Sequence, residues 1–173
     1  MVIVNTSSVD MDVHDAKNGD KEAISRLILE NKLSMYRIAK NILKKPHDVE
    51  DAIGDTILIA YEKIGGLRKN ASFKTWLLKI LINQCYGIYK KKNKEFLVNK
   101  LEFSVGIYDD TYENFELMQA INSLEENQRI ITILYYYEDM RLKDIANILG
   151  IPEGTVKSRL KRAKEKLKKL ITK

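Results

Sequence analysis

From Arg141 to Leu170 the apolar positions recur at helical spacing on both sides of a tight turn. This pattern predicts a helix over about Leu142 to Leu149, a turn at Gly150 and a second helix that begins near Pro152. Glycine takes positive φ at little cost, and proline lacks the N–H that a first helical residue leaves unsatisfied. The second helix has one apolar seam, formed by Val156, Leu160, Ala163, Leu167 and Leu170.

The opposite side of that second helix carries cations and small residues. Its outward positions are Gly154, Ser158, Lys161, Arg162 and Lys169, flanked by Lys157 and Arg159. A helix that packs on one side and offers cations and a hydroxyl on the other fits the major groove of DNA. A solvated, lysine-rich helix is the alternative that composition alone would favour. The preceding turn and short apolar helix favour a helix-turn-helix.

The N-terminal part of the chain predicts helices after an irregular start. Residues up to about Asp12 lack a pattern, so we expect residues 1–15 to be flexible. From Asp12 to Leu43 the apolar residues recur at helical spacing, and Asp20 is a candidate N-cap. The apolar positions are Ala23, Leu27, Ile28, Leu33, Tyr36, Ile38, Ile42 and Leu43, and Pro46 closes the segment.

The next predicted helix covers about Asp48 to Ile64 and carries an acidic row with one leucine. The row consists of Asp48, Asp51, Asp55, Leu58 and Glu62, spaced three or four residues apart. A solvated acidic face is one interpretation, and the row by itself favours it. A docking surface for a basic protein partner is the other, with Leu58 as an apolar anchor.

A third helix is predicted over Phe73 to about Lys92, with Ser72 as its N-cap. We expect its core face to be Phe73, Leu77, Ile80, Leu81 and Ile88, and its other side to be Thr75, Lys79, Asn83, Tyr86 and Lys90, with Trp76 at the border. No acid occurs between Lys63 and Lys94. Cations, an amide and aromatic rings on one surface are typical of single-stranded DNA binding, although Trp76 and Tyr86 would also serve as core residues.

The helical period is lost over residues 95–112, which we interpret as a flexible linker. Helices over about Glu113 to Ser123 and Glu126 to Asp139 then pack with the helix-turn-helix. The tyrosines at 135–137 fit packing better than chemistry. The predicted fold is all-α, with helical domains at residues 16–94 and 113–173, the second a four-helix helix-turn-helix domain.

Composition narrows the function classes. The net charge of +6 makes an acidic partner plausible, and one cysteine, Cys85, excludes an internal disulfide. Cys85 fits a small core residue better than a nucleophile. His14 and His47 lack companions at ligand spacing, so we predict no metal site, and no motif indicates an enzyme or a cofactor. Without a membrane-length apolar run or a signal peptide, we expect a cytoplasmic protein with no direct membrane insertion.

Three segments together resemble the extracytoplasmic-function (ECF) sigma factors of bacteria. DVEDAIGDTILIAYEKI (Asp48 to Ile64) resembles the family's polymerase-binding segment, and ASFKTWLLKILINQCYGIYKKK (Ala71 to Lys92) its −10-binding segment. LKDIANILGIPEGTVKSRLKRAKEKL resembles the −35-binding segment. The last motif is shared with other regulators, whereas all three in this order are specific. The resemblance implies binding to core RNA polymerase and promoter DNA, with promoter melting.

The resemblance assigns residues to each contact. It assigns polymerase docking to Asp48, Asp51, Asp55, Leu58 and Glu62. Binding of the −10 element falls to Arg68, Lys69, Asn70, Lys79, Asn83, Tyr86 and Lys90, with Asn70 and Asn83 on base edges. Binding of the −35 element falls to Lys157, Ser158, Lys161 and Arg162 in the groove, with Thr155 and Arg159 on phosphates.

Two positions depart from the family pattern. Gly54 stands where glutamine is usual and Ile57 where an aromatic residue is common, which affects the detail of the polymerase contact.

Family members are often held inactive by an anti-sigma factor, commonly a membrane-anchored one, so the resemblance implies such a partner. Two other classes remain: a helix-turn-helix regulator that does not bind polymerase, and a nucleic-acid enzyme such as a recombinase, for which the chain offers no supported nucleophile or metal cluster.

Overall fold

A computed structural model describes residues 6–96 and 115–171 of the chain. The chain divides into two compact units, Met1–Lys92 and Asn93–Lys173. Every regular element in the described residues is helical, which confirms the prediction of an all-α fold. No helix in these residues is long and apolar enough to span a membrane.

Five helices and two short 3-10 turns build the described part of the N-terminal unit. They are α1 (Thr6–Lys17), α2 (Lys21–Glu30), α3 (Lys32–Ile42), α4 (Pro46–Lys63), the turns Ile64–Gly66 and Asn70–Ser72, and α5 (Phe73–Phe96). Their apolar faces enclose one core, in which Leu27, Ile38, Leu77 and Leu81 have no exposed surface. The core leaves the outer sides of α3, α4 and α5 available for contacts.

The start of the chain differs from the expectation of an irregular segment, because α1 covers Thr6–Lys17. Val13 and Ala16 are buried, so α1 contributes to the core through two small apolar residues one helical turn apart. The Asp12 carboxylate also accepts hydrogen bonds from Arg26 of α2, at 2.6 Å from Nη2. The N-cap prediction for α2 is confirmed, since Asp20 Oδ1 accepts from the backbone N–H of Glu22 at 2.8 Å.

A one-residue break at Asn31 separates α2 from α3 without changing the helical phase. The Asn31 N–H donates to the Ile28 carbonyl at 3.1 Å, and the Asn31 carbonyl accepts from the Met35 N–H at 2.9 Å. Two of the apolar positions predicted in this segment lie outside the core: Leu33 is 74% exposed and Tyr36 is 47% exposed. Apolar residues therefore occupy both sides of α3.

Four helices make up the described part of the C-terminal unit: α6 (Phe115–Asn122), α7 (Glu126–Tyr136), α8 (Leu142–Leu149) and α9 (Glu153–Ile171). Gly150 has φ 65° and ψ 33°, which confirms the left-handed turn between α8 and α9. Pro152 lies one position before α9, where its carbonyl accepts from the Thr155 N–H at 2.9 Å. Most of the predicted linker, residues 97–112, lies outside the described residues, and α5 still includes Glu95 and Phe96.

Candidate protein and nucleic-acid interfaces

The outer side of α4 presents acids around an exposed leucine. Asp51, Asp55 and Glu62 are exposed, and the Leu58 side chain is 63% exposed. His47 Nε2 lies 3.4 Å from Asp51 Oδ2, one turn away on the same exposed side. We call Asp51, Asp55, Leu58 and Glu62 the acidic row.

Asp48 does not belong to that exposed surface, although the sequence pattern placed it in one row with the other acids. The residue is only 5% exposed, and its carboxylate forms an ion pair with Lys92 near the end of α5. This burial accompanies a contact with a residue 44 positions away, which the spacing of the row does not indicate. Asp48 therefore holds α4 against α5 instead of facing a partner.

The predicted polar side of α5 is one face of that helix. Asn83 and Lys90 are exposed, whereas Lys79 and Tyr86 are half-buried, and the spacing of four, three and four residues keeps all four in line. A flexible cation at each end and an amide and a phenol ring between them can hold a phosphate backbone and contact bases. We call Lys79, Asn83, Tyr86 and Lys90 the α5 row.

The buried side of α5 is rotated from the one that the sequence predicted. Leu78, Ile82 and Cys85 are buried together with Leu77 and Leu81, whereas Ile80 and Ile88 are only half-buried. Trp76 is also half-buried, with its ring centroid 5.8 Å from that of Phe73. Because α5 has apolar residues around most of its circumference, the packing of neighbouring helices decides which of them enter the core.

Cys85 is a buried free thiol within this core. Desolvation by burial raises the pKa of its thiol to about 12. A thiol with such a pKa stays protonated near neutral pH and is a poor nucleophile or metal ligand. The prediction that Cys85 is a core residue is therefore confirmed.

The loop before α5 contains two exposed cations and an asparagine whose side chain is hydrogen-bonded within the unit. Arg68 and Lys69 are exposed. Asn70 uses both ends of its side chain within the unit: Oδ1 accepts from Lys17 Nζ at 3.0 Å, and Nδ2 donates to the Asp10 carbonyl at 3.3 Å. These bonds fasten the loop to α1, so Asn70 helps to position the loop.

The outward side of α9 agrees with the predicted groove face. Lys157, Ser158, Lys161 and Arg162 are exposed, and Thr155 and Arg159 are half-buried at its edge. The apolar seam is buried from Val156 to Leu167, but Leu170 is 47% exposed because it lies beyond the packed part of the unit. Ser158 Oγ donates to the Thr155 carbonyl at 3.0 Å, which turns this hydroxyl toward the helix backbone.

A further feature of this unit, which the sequence did not reveal, lies among α6, α7 and α9. A cavity of about 430 Å³ is lined by Leu117, Ile121, Thr132, Tyr136, Tyr137, Lys164 and Leu167. Lys164 Nζ lies 5.5 Å from the Tyr136 ring centroid, and a hydrogen bond to Tyr136 raises the pKa of this lysine. Lys164 therefore turns toward α7, away from the groove face. Within the described residues, no cluster of histidine, cysteine or acidic side chains could hold a metal ion.

Comparisons with known proteins match both units. The family model of sigma-70 region 2 matches residues 27–95, and that of sigma-70 region 4 matches residues 114–167. RNA polymerase sigma factor SigV of Bacillus subtilis is 29% identical over 159 residues, covering 91% of this chain and 96% of the relative. The ECF RNA polymerase sigma factor SigW of the same organism is 29% identical over 174 residues, covering 91% and 93%.

A solved structure agrees with these sequence relatives. The sigma factor RpoE from Bartonella quintana, crystallised with the anti-sigma factor NepR, matches with a TM-score of 0.75 and 27% identity. The match covers 86% of this chain and 96% of that one.

Proposed function

This chain belongs to the extracytoplasmic-function sigma factors, which bind core RNA polymerase and promoter DNA, and we propose that α4, α5 and α9 divide those contacts among them. It is a transcription initiation factor and not an enzyme. The observation that carries the division is the contrast in charge within one unit. The acidic row of α4 and the cationic α5 row are both solvent-accessible, on separate helices.

The acidic row suits a basic protein surface with an apolar recess, which we assign to the clamp helices of the largest polymerase subunit. Exposed carboxylates steer association and fix orientation, and the exposed Leu58 offers apolar area to bury. Asp48 contributes only indirectly, by holding α4 in place through Lys92.

Charge reversal tests this docking surface. We expect Asp51→Lys combined with Asp55→Lys to abolish holoenzyme formation, because both side chains are exposed and a basic partner would then be repelled. Helical content and thermal unfolding should stay unchanged. Glu22→Lys with Glu30→Lys makes the same change in net charge at exposed positions of α2 and serves as the control. Wild-type affinity for core polymerase in the α4 variant would refute the assignment.

The α5 row, with Arg68 and Lys69 before it, is assigned to the −10 element. Promoter opening requires bases to leave the stack, at a cost of a few kcal/mol for each flipped base. Cations that hold the strand and an aromatic ring that stacks on a base would offset that cost. Of the two asparagines, only Asn83 has a side chain exposed for a base edge.

The groove face of α9 is assigned to the −35 element. Lys157, Lys161 and Arg162 are long cations on the exposed side of a helix whose other side is packed, as the second helix of a helix-turn-helix requires. Arg162 and Lys161 can donate to guanine O6 and N7. Thr155 and Arg159, at the edge of the face, are placed on phosphates.

Run-off transcription on a pool of genomic fragments tests the whole proposal. Purified core polymerase with this protein should give discrete new transcripts that share upstream elements, and core polymerase alone should not. Duplex binding without new transcripts would instead identify a regulator that acts without polymerase.

An anti-sigma factor is also proposed as a partner, since the matched RpoE structure contains one. We place the protein in the cytoplasm, where polymerase and promoters are found. Co-expression with a candidate anti-sigma factor should give a stable complex that cannot bind core polymerase. A complex that still binds core polymerase would refute inhibition by that route.

A further inference from the structure

The outer side of α2 and α3 carries an apolar line that the fold does not use. Leu29, Leu33 and Tyr36 are 66%, 74% and 47% exposed, and Lys40 continues the line. The buried positions Ile24, Ile28, Met35, Ile38 and Ile42 are four, seven, three and four residues apart, so the helical spacing continues across Asn31. Because the helical phase is unbroken, the exposed residues also form one continuous line. Contiguous exposed apolar side chains on a small unit indicate a contact surface.

The charges around this line are positive. From Lys32 to Lys45 the chain contains no acid, and its cations are Lys32, Arg37, Lys40, Lys44 and Lys45. Lys40 Nζ lies 5.6 Å from the Tyr36 ring centroid, so cation and ring occupy the same part of the surface. This side of α3 therefore suits an acidic partner that also has apolar side chains.

The acidic row of α4 lies beside this line. The chain reverses direction between α3 and α4, and the two helices pack against each other. Ser25 of α2 and Tyr61 of α4 are joined by a hydrogen bond of 2.7 Å between their hydroxyls. Leu29 lies one helical turn from Ser25, and Leu58 lies one turn from Tyr61. The two leucines therefore lie near each other on one joint face, positive on its α3 side and negative on its α4 side.

Gly54 leaves a position on this joint face without a side chain. It lies in the middle of α4, four residues before Leu58, and nothing is found within 4 Å of where its Cβ would be. An interior glycine destabilises an exposed helix relative to alanine. In return, a side chain from a facing helix can approach the α4 backbone closely.

We propose that two copies of this chain associate through this joint face as a two-fold symmetric dimer. A two-fold rotation places the cationic α3 of each copy opposite the acidic row of the other, with the leucines between them. The face is therefore complementary to itself in both charge and apolar area. A nucleic acid would match the cations of α3 but would meet repulsion from the acidic row and leave the leucines exposed.

The dimer has a consequence for activity that rests on the proposed function of the acidic row. Each copy covers the acidic row of the other, so a dimeric molecule cannot dock on polymerase. Dimerisation therefore keeps the protein from binding polymerase. Dilution, or competition by core polymerase, returns it to the active monomer.

Sedimentation equilibrium of the full chain over a wide concentration range tests the dimer. Wild-type protein should change from monomer to dimer as the concentration rises. Leu33→Asp should raise the dimer Kd at least tenfold, with unchanged thermal unfolding because Leu33 contributes little to the core. Leu170→Asp, a matched change at an exposed leucine of the other unit, should leave the dimer Kd unchanged. A monomer at all concentrations, or a dimer insensitive to Leu33→Asp, would overturn the proposal.

A charge exchange tests the two-fold pairing itself. One variant carries Arg37→Glu and Lys40→Glu, which makes both sides of the face acidic, and the other carries Asp51→Lys and Asp55→Lys, which makes both sides basic. Each variant alone should be monomeric, and an equimolar mixture should form a heterodimer with a Kd within about threefold of the wild-type value. A mixture that stays monomeric would rule out the pairing.

The same variants separate the dimer from the proposed docking surface. If the wild-type protein dimerises and the basic variant still binds core polymerase, the docking assignment fails and the dimer stands. If the basic variant loses polymerase and the wild-type protein is always monomeric, the dimer fails and the docking assignment stands.

Discussion

The helices α5 and α9 are both long and rich in lysine, yet they expose different chemistry. On α9 the apolar residues form one narrow seam, and most of the other exposed residues are cationic. On α5 the half-buried Trp76, Ile80 and Tyr86 accompany the cations at the surface. A helix with one seam has its functional face fixed by its own sequence. A helix with apolar residues on most sides has that face fixed by its neighbours, and it can offer rings as well as charges.

The largest expected effect concerns which side of α5 is the core. Ile82 is 1% exposed, and Ile82→Ala should lower the free energy of unfolding by about 2–5 kcal/mol through lost burial and a cavity. The same substitution at the half-buried Ile80 should cost well under half as much. Urea denaturation of both variants measures the difference. Equal losses at Ile80 and Ile82 would mean that the rotation of α5 is misplaced.

On α9, two arginines one turn apart should behave differently. Arg162→Ala should weaken −35 duplex binding by roughly 1–3 kcal/mol and relax the preference at one base pair, because a groove-facing guanidinium reads a base edge. Arg159→Ala should weaken binding to all sequences alike and reduce the salt slope by about one, as expected of a phosphate contact. Electrophoretic titrations against a panel of −35 variants, repeated at several salt concentrations, check both. A uniform loss for Arg162→Ala would move that residue to the phosphates.

Substitutions in the α5 row should reduce promoter opening and leave duplex binding unchanged. Asn83→Ala should reduce permanganate reactivity of the promoter while leaving stability and −35 binding unchanged, because its side chain is exposed. Asn70→Ala should instead lower stability by about 1 kcal/mol, since it loses its hydrogen bonds to Lys17 and to the Asp10 carbonyl. Thermal unfolding and footprinting on the same variants separate the roles. Normal opening with Asn83→Ala would remove this residue from the −10 contact.

The smallest effect is expected from replacing one exposed glycine in α5 and one in α9. Gly87 in α5 has open space around its Cβ position, so Gly87→Ala should stabilise the chain by about 0.5–1 kcal/mol. Gly154→Ala in α9 also meets no steric obstacle within the chain. Because Gly154 lies on the groove face, its methyl group should weaken −35 duplex binding, whereas Gly87→Ala should not. Equal −35 affinity of the two variants would argue against close approach of α9 to the groove.

The same contrast explains what could be predicted from the sequence. The bounds of α8, the left-handed Gly150 and the groove face of α9 followed from local rules of turn chemistry and helical period. The core face of α5 and the burial of Asp48 did not, because both depend on contacts between residues far apart in the chain. Asp48 pairs with Lys92, 44 positions away, and no local pattern distinguishes it from Asp51 or Asp55.

Asn70 shows the same limit in a loop. Its amide was predicted to meet a base because of its position between cations and a helix start. Its two hydrogen-bond partners, Lys17 and the Asp10 carbonyl, belong to α1, which begins within the segment expected to be irregular. The loop is hydrogen-bonded to α1, so its arrangement could not be predicted without that helix.

The ion pair between the buried Asp48 and the partly exposed Lys92 also bears on how genetic screens of this protein should be interpreted. A substitution at Asp48 leaves a lysine without its partner and loosens α4 from α5, so the cell would contain less folded protein. A screen that scores loss of transcription would then group Asp48 with Asp51 and Asp55, although only the latter two face outward. Immunoblots of steady-state protein level would separate the two kinds of mutant, since only the Asp48 mutants would be depleted.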